Sequence, residues 1–216
     1  MKVLITGTSS GIGQSTAELF LRNGHDVIGL DILPATIMHE RYTHVVCDVR
    51  LPLSPIDGVE ILICAAGVQL PDEDTIDVNL KGCINTIETY AFQPNIKALV
   101  TVASASASNG SEFPLYAASK GGVVTYTKNA ALRLAKYGAT ANSISPGGVL
   151  TASNATVIDD PELFRAALNE SLLDKWATAE EIAEWIYFIA VVNRSMTGQD
   201  ILVDNGEILK SNFIWR

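Results

Sequence analysis

Lys2-Val-Leu-Ile-Thr6-Gly7-Thr8-Ser9-Ser10-Gly11-Ile12-Gly13 decides the fold of this chain. An apolar run of strand length stops at a glycine, and a helical pattern (Gly11–Asn23) begins within five residues. Glycines at such a junction let the backbone turn tightly and let a helix N-terminus approach a pyrophosphate. Gly7, Ser9, Ser10, Gly11, Ile12 and Gly13 are therefore candidate cofactor-binding positions. The spacing of Gly7, Gly11 and Gly13 differs from the commoner dinucleotide fingerprint, although the physical demands are the same. A plain strand-to-helix turn would also fit; placement at the first βα junction favours the functional reading.

Working outward, short β-branched runs alternate with helical patterns, the signature of βαβ units and a parallel sheet. Strands are expected near Lys2–Thr6, Asp26–Leu30, His44–Cys47, Glu60–Cys64, Ala98–Ser104, Thr140–Ser145 and Ile201–Val203. Helices are expected at Gly11–Asn23, Val78–Ala91, Leu115–Tyr137, Pro161–Leu173 and Ala179–Val192. Thr178 with Glu181 three residues later forms a capping box, and Asp160-Pro161 announces the preceding helix. Two crossovers, Ile32–Thr43 and Val49–Val59, carry prolines and little helical periodicity, so one sheet edge should be thinly covered.

The 216 residues suit one domain, and 48% hydrophobic against 18% charged residues suits a well-buried globular core. A formal charge of -9 without any basic run excludes nucleic acid and anionic membrane as partners. Any anionic cofactor must be held by local devices. Cys47, Cys64 and Cys83 show no metal-ligand spacing and lie in or beside apolar stretches, so they read as reduced core thiols in a cytoplasmic protein. The opening apolar run is too short for a signal peptide's core. Trp185–Val192, the longest apolar stretch, falls far below the ~18 residues of a membrane helix.

Asp31 ends the second expected strand, eighteen residues after Gly13. An acid there accepts from adenosine ribose hydroxyls and repels a 2′-phosphate, and no Lys or Arg lies in the glycine loop or directly after it. NAD is the expected cofactor; an N-cap or turn aspartate is the plainer alternative. Tyr116 and Lys120, one helical turn apart, place a phenol beside an ammonium. A unit charge roughly 4 Å away at an effective dielectric near 20 contributes about 4 kcal/mol. That is enough to bring a phenol with an ordinary pKa of about 10 toward neutrality and make it a proton acceptor or donor. By itself the pair would also suit a solvated helix face.

Taken together, Thr6–Gly13, Cys47-Asp48-Val49, Cys64-Ala-Ala-Gly67, Val78-Asn79-Leu80, Ser104, Tyr116–Lys120, Asn142–Gly147 with Thr151, and Thr197-Gly198-Gln199 resemble the short-chain dehydrogenase/reductase family. The likeness is to its compact single-domain branch and spans nearly the whole chain. It implies a Rossmann-type, doubly wound α/β domain over residues 1–216. It implies Tyr116 as catalytic acid/base and Lys120 as the ribose-binding residue that lowers the phenol pKa. Ser104 would orient the substrate oxygen, and Asn79 would hold a water linking Lys120 to solvent. Asp48 and Val49 should lie near the adenine. Ala65, Ala66 and Gly67 should keep a backbone contact to the cofactor, and Pro146, Gly147, Val149 and Thr151 should border the nicotinamide and its phosphate.

Ser104, Ser106 and Ser108 share one parity on an extended segment, and register against the preceding strand favours Ser104. Asn85 reads as a surface helix residue. His25, His39 and His44 lie away from the matching segments, and no metal is required. The family usually carries asparagines where this chain has Cys64 and Ala65, so side-chain bonds that brace the sheet should be missing.

The implied activity is NAD(H)-dependent interconversion of a secondary alcohol and a ketone. A 3-oxoacyl thioester reductase and a non-catalytic dinucleotide-binding regulator are the alternatives. Val149–Trp176 should form a substrate lid. Its apolar stripe (Leu163, Phe164, Ala167, Leu168 and Leu172) would either line substrate or pack on the core. A homodimer or homotetramer is expected.

Overall fold

The computed structural model describes residues 1–70 and 72–210; Pro71 and the last six residues of the expected 1–216 domain lie outside it. Its strands are β1 (Lys2–Thr6), β2 (Asp26–Asp31), β3 (Tyr42–Val46), β4 (Ile61–Cys64), β5 (Ala98–Val102), β6 (Thr140–Pro146), β7 (Val149–Leu150), β8 (Ala177–Thr178) and β9 (Asp200–Val203). Seven of them form a parallel sheet in the order β3-β2-β1-β4-β5-β6-β9, while β7 and β8 pair separately. The order reverses at β1, which pairs with β2 on one side and β4 on the other. In such a sheet the crevice beyond the carboxyl ends of the strands at the reversal is where ligands bind.

The period-2 alternation of β1 sends its side chains to two separate cores. Val3 and Ile5 join Phe20 of α1 (Gly11–Arg22) with Ile182 and Ile186 of α7 (Ala179–Tyr187) on one face. Leu4 faces the other way, with Ile87 of α2 (Cys83–Tyr90) and Val123 and Leu134 of α4 (Pro114–Leu134). The remaining helices are short: α3 (Ser106–Asn109), α5 (Ala155–Ile158) and α6 (Pro161–Leu168). A doubly wound α/β fold is the result. Among the described residues no helix is long and apolar enough to cross a membrane.

Both expected caps are present. Thr178 Oγ1 accepts from Glu181 N while the Glu181 carboxylate accepts from Thr178 N, and Asp160 Oδ1 accepts from Glu162 N and Leu163 N. Helix α6 stops at Leu168, five residues before the expected end. It contains no buried residue, so no buried apolar face stabilises a longer helix. The helix expected from Val78 begins earlier, with a π-helical segment over Ile76–Gly82. Strand β3 sits two residues before the expected start and one before the expected end.

Neither crossover flanking β3 contains a helix, as their prolines require. Side chains from the α2 region substitute for the missing packing between β3 and β4. Asn85 Nδ2 donates to Val49 O and Leu51 O at 2.8 Å, the Tyr90 hydroxyl donates to Ser54 O at 2.9 Å, and Gln93 Oε1 accepts from Val59 N at 3.0 Å. Asn85 is thus a tether rather than a free surface residue, correcting the sequence expectation. The edge itself stays open: Ile32 and Val46 are each 63% exposed.

Candidate active site

Beyond the carboxyl ends of the strands lies a cavity of about 750 Å³, within the usual range for small-molecule sites. Of the residues singled out from the sequence, all but Ser9 and Asn79 line it. Those two stand directly behind the wall.

At one end the β1–α1 turn forms the floor. Gly7 holds φ +79, and a Cβ there would lie 2.9 Å from the Ala66 backbone. At Gly13 a Cβ would lie only 2.0 Å from Gly7 O, so glycine alone lets α1 start this close to the strand end. Ser10, Gly11 and Ile12 of the first turn of α1 line the cavity, leaving N–H groups and the positive end of the helix dipole available to an anion. Ser9 braces this turn from behind: its N–H donates to Asp31 Oδ2 at 2.9 Å and its hydroxyl to Pro34 O at 2.9 Å.

Asp31 also accepts from Leu33 N through Oδ1. Asp48 is gripped by Arg50, whose Nε and Nη2 reach its carboxylate at 2.8–3.1 Å, and this holds the Asp48 carboxyl below its usual range. Arg50 also meets Asp74 at 3.3 Å, so the one cation lining this end among the described residues is shared between two acids. Buried Val49 is fixed by Asn85 and by close approach to Gly82.

The replacements at Cys64 and Ala65 do not leave the β4 end unbraced. Thr6 Oγ1 accepts from both Ala65 N and Ala66 N at 3.1 Å, a different brace from the asparagine side chains that this chain lacks. Cys64 and Cys83 are buried free thiols. A hydrogen bond with Cys83, together with burial, pushes the Cys64 thiol well up.

Midway along the cavity, Tyr116 and Lys120 project from α4 toward Ser104. Lys120 Nζ lies over the Tyr116 ring, 5.5 Å from its centroid, and donates to Val102 O at 3.1 Å. Desolvation pulls the ammonium down to about 8, against the opposing pull of Cys83 and Glu112. The Tyr116 phenol is pushed up to about 12 by desolvation, with the Glu112 carboxylate adding to it and a Ser104 hydrogen bond opposing. This reverses the expectation that Lys120 dominates: the desolvation of a phenol outweighs an ammonium that sits over the ring and is itself bonded elsewhere.

Asn79 lies within the π-helical segment, with its amide fully engaged. Oδ1 accepts from Val68 N and Nδ2 donates to Val68 O, each at 2.8 Å, and Nδ2 also reaches Ser119 Oγ at 3.2 Å. Ser119 in turn donates to Tyr116 O at 2.7 Å, linking Asn79 to the helix that carries the tyrosine. Asn79 Oδ1 and Lys120 Nζ both lie within 3.4 Å of where a Gly67 Cβ would sit. Such π-segments are frequent at functional sites.

Ser104 lies past the end of β5, not within it. The backbone turns directly into α3, so Ser104, Ser106 and Ser108 do not share an extended face. Instead the Ser106 hydroxyl donates to Ser104 Oγ at 2.9 Å and its N–H to the same oxygen at 3.2 Å. Sequence reasoning set Ser106 aside; a helical turn beginning there places it as the partner of Ser104.

A family model described as enoyl-(acyl carrier protein) reductase matches residues 70–207. The 3-oxoacyl-[acyl-carrier-protein] reductase FabG of Thermotoga maritima is 31% identical, with 95% of this chain and 97% of that protein covered. The chain belongs to the short-chain dehydrogenase/reductase family. Glucose 1-dehydrogenase of Gluconobacter oxydans, in the same comparison, is 28% identical over 98% of this chain and 93% of its own. Among solved structures, a 4-hydroxyisoleucine dehydrogenase complexed with NADH superposes with a TM-score of 0.85 at 26% identity, covering 97% of this chain and 99% of that one. The last of these holds NADH, and the glycine turn, the cavity and the helix N-terminus described above fit such a group.

Four wall residues had no signal in the sequence. Gln69, Glu112, Trp176 and Glu207 come from loops or from the chain's last described turn, and they meet only through the fold.

Proposed function

We propose that this protein is an NAD(H)-dependent dehydrogenase/reductase interconverting a secondary alcohol and a ketone. The observation that carries the reading is the convergence of Ser104, Tyr116 and Lys120 on one cavity continuous with the β1–α1 turn. Gly7, Ser10, Gly11, Ile12 and Thr151 would hold the dinucleotide's phosphates, Asp48 and Val49 its adenine, and Ala66, Gly67, Pro146, Gly147 and Val149 the nicotinamide end. When bound, the dinucleotide supplies the hydride acceptor or donor and, in its oxidised form, a positive charge.

The chain's own residues manage the proton. Ser104, held by Ser106, orients the substrate oxygen, and Tyr116 exchanges a proton with it. At about 12 the phenol is held protonated, so it carries the proton that ketone reduction needs. In oxidation it needs the Lys120 ammonium and added positive charge to act as a base. Asn79 positions the Gly67–Val68 backbone by clamping Val68 from both sides. Preference for NAD rests on Asp31, at the end of β2, and on Arg50 being taken up by Asp48 and Asp74. Val149–Trp176 serves as the substrate lid, with α6 exposed and its Phe164 stacked edge-on against Trp176 at 5.6 Å.

The test is a spectrophotometric screen of secondary alcohols and ketones with both cofactors, run beside Tyr116→Phe. Turnover should fall at least ~100-fold in the variant while NADH binding persists. Unchanged turnover would overturn the reading. The FabG likeness leaves a 3-oxoacyl thioester reductase as the second reading, for which acyl thioesters belong in the screen.

A further inference from the structure

Two carboxylates at the carbinol end of the cavity have no part in the proton chemistry above. Glu112 lies in the loop between α3 and α4 at φ 71, a left-handed conformation costing a non-glycine residue on the order of 1–3 kcal/mol. Its carboxylate accepts from Gln69 Nε2 and faces the cavity, close enough to Tyr116 and Lys120 to shift both. Glu207 lines the same cavity, with Oε2 over Gly147 and the Gly148 N–H donating to it. Each of these two carboxyls is pushed up chiefly by desolvation, and Glu207 adds to the shift of Glu112. Beside them the Trp176 indole packs on Gly148 so closely that a Cβ there would be 2.2 Å from the ring. Among the described residues the cations lining this cavity are Arg50, held at the far end by Asp48, and Lys120.

Such a wall discriminates among substrates. An apolar body covering the two carboxylates would strip their water and return nothing. An anionic substrate would meet like charge. An ammonium would share the cavity with Lys120 and a cationic nicotinamide. A hydroxyl donor satisfies the carboxylates without adding charge, and the C–H face of a ring can rest on Trp176.

We propose that the substrate is a neutral polyhydroxylated compound, sugar- or cyclitol-like, in which a hydroxyl beside the reacting carbinol donates to Glu112. This rests on the dehydrogenase reading and adds the group that selects the substrate. A site built to pair a substrate hydroxyl rejects the analogue that lacks it far more strongly than an apolar pocket rejects a missing methylene.

The experiment compares kcat/KM, with NAD present, for cis-1,2-cyclohexanediol, cyclohexanol, 2-aminocyclohexanol and 3-hydroxycyclohexanecarboxylate. The diol should exceed cyclohexanol by roughly 100-fold or more. Glu112→Leu should collapse that ratio to within about tenfold, and Glu112→Gln, which keeps an acceptor oxygen, should retain more of it. Near-equal handling of diol and cyclohexanol, an unchanged ratio in Glu112→Leu, or preference for the amine or the acid would overturn the proposal. Calorimetric titration of the same four compounds into the protein–NADH complex gives a second readout. Tighter binding of the diol without turnover would sustain the assignment of Glu112 and count against the dehydrogenase reading. Binding that does not favour the diol would overturn the assignment alone.

Discussion

At the dinucleotide end of the cavity nearly every contact is made by backbone or by a short side chain held from behind; at the carbinol end the walls are long side chains on loops and on a helix with no buried residue. The side chains of Ser9, Thr6 and Asn85 each bond main chain across the glycine turn or the crossovers. Glu112 and Glu207, by contrast, reach the cavity from a left-handed loop position and from the chain's last described turn. A rigid, backbone-built half suits a ligand common to the whole family, and a half built from replaceable side chains suits a substrate that differs among members.

The contrast can be broken first at Gly13. Gly13→Ala puts a methyl 2.0 Å from Gly7 O, where neither backbone can yield, and should lower unfolding free energy by about 3 kcal/mol in denaturant melts. A melt within error of the wild type would show the turn to be pliable.

The Lys120–Tyr116 pair, at the junction of the two halves, is tested by pH. The Lys120 ammonium lies at about 8 against an ordinary 10.5, so the unfolded chain binds more protons between those values and stability rises with pH across them. Tyr116 lies at about 12 against 10.0, so the folded chain holds the extra proton and stability falls from pH 10 toward 12. The Lys120 contribution to the unfolding free energy should therefore climb by on the order of 2 kcal/mol from pH 8 to 10, set against a fall from the Cys64 thiol, which its hydrogen bond with Cys83 and burial push well up. Lys120→Met should abolish that climb, and its persistence in the variant would show that burial does not set this group.

The smallest expected effect is at Asn85. Asn85→Ala removes both tethers to the β3–β4 crossover and should cost about 1 kcal/mol. Because Val49 lines the dinucleotide end, KM for the cofactor should rise a few-fold while kcat holds. An altered kcat with unchanged cofactor KM would show that the tether serves the other half.

How much of this was legible beforehand follows the same division. The parallel sheet, the helix-less crossovers and the glycine turn announce themselves through local chemistry: β-branched runs, prolines and φ-permissive residues at a junction. Residues that line the dinucleotide end lie in those same local segments. Glu112, Glu207 and Trp176 belong to no local pattern and are assembled by tertiary packing alone. Asn85 was misread because an exposed helical position says nothing about a loop 36 residues earlier that lacks its own helix. The Tyr116 phenol went the wrong way because spacing reveals the neighbouring ammonium and conceals desolvation.

The open edge at β3 gives the dinucleotide a second kind of influence. Asp31 ends β2 against β3, whose Val46 is largely exposed and whose flanking crossovers are held by single side chains. Local opening is easiest where few apolar contacts must be broken, so this corner should exchange its amide protons early and be open to a protease. A ligand seated on Asp31 and Val49 closes that corner by mass action in proportion to its free concentration. The lifetime of the chain would then follow the supply of its own cofactor, with abundance tuned at the thinnest part of the sheet.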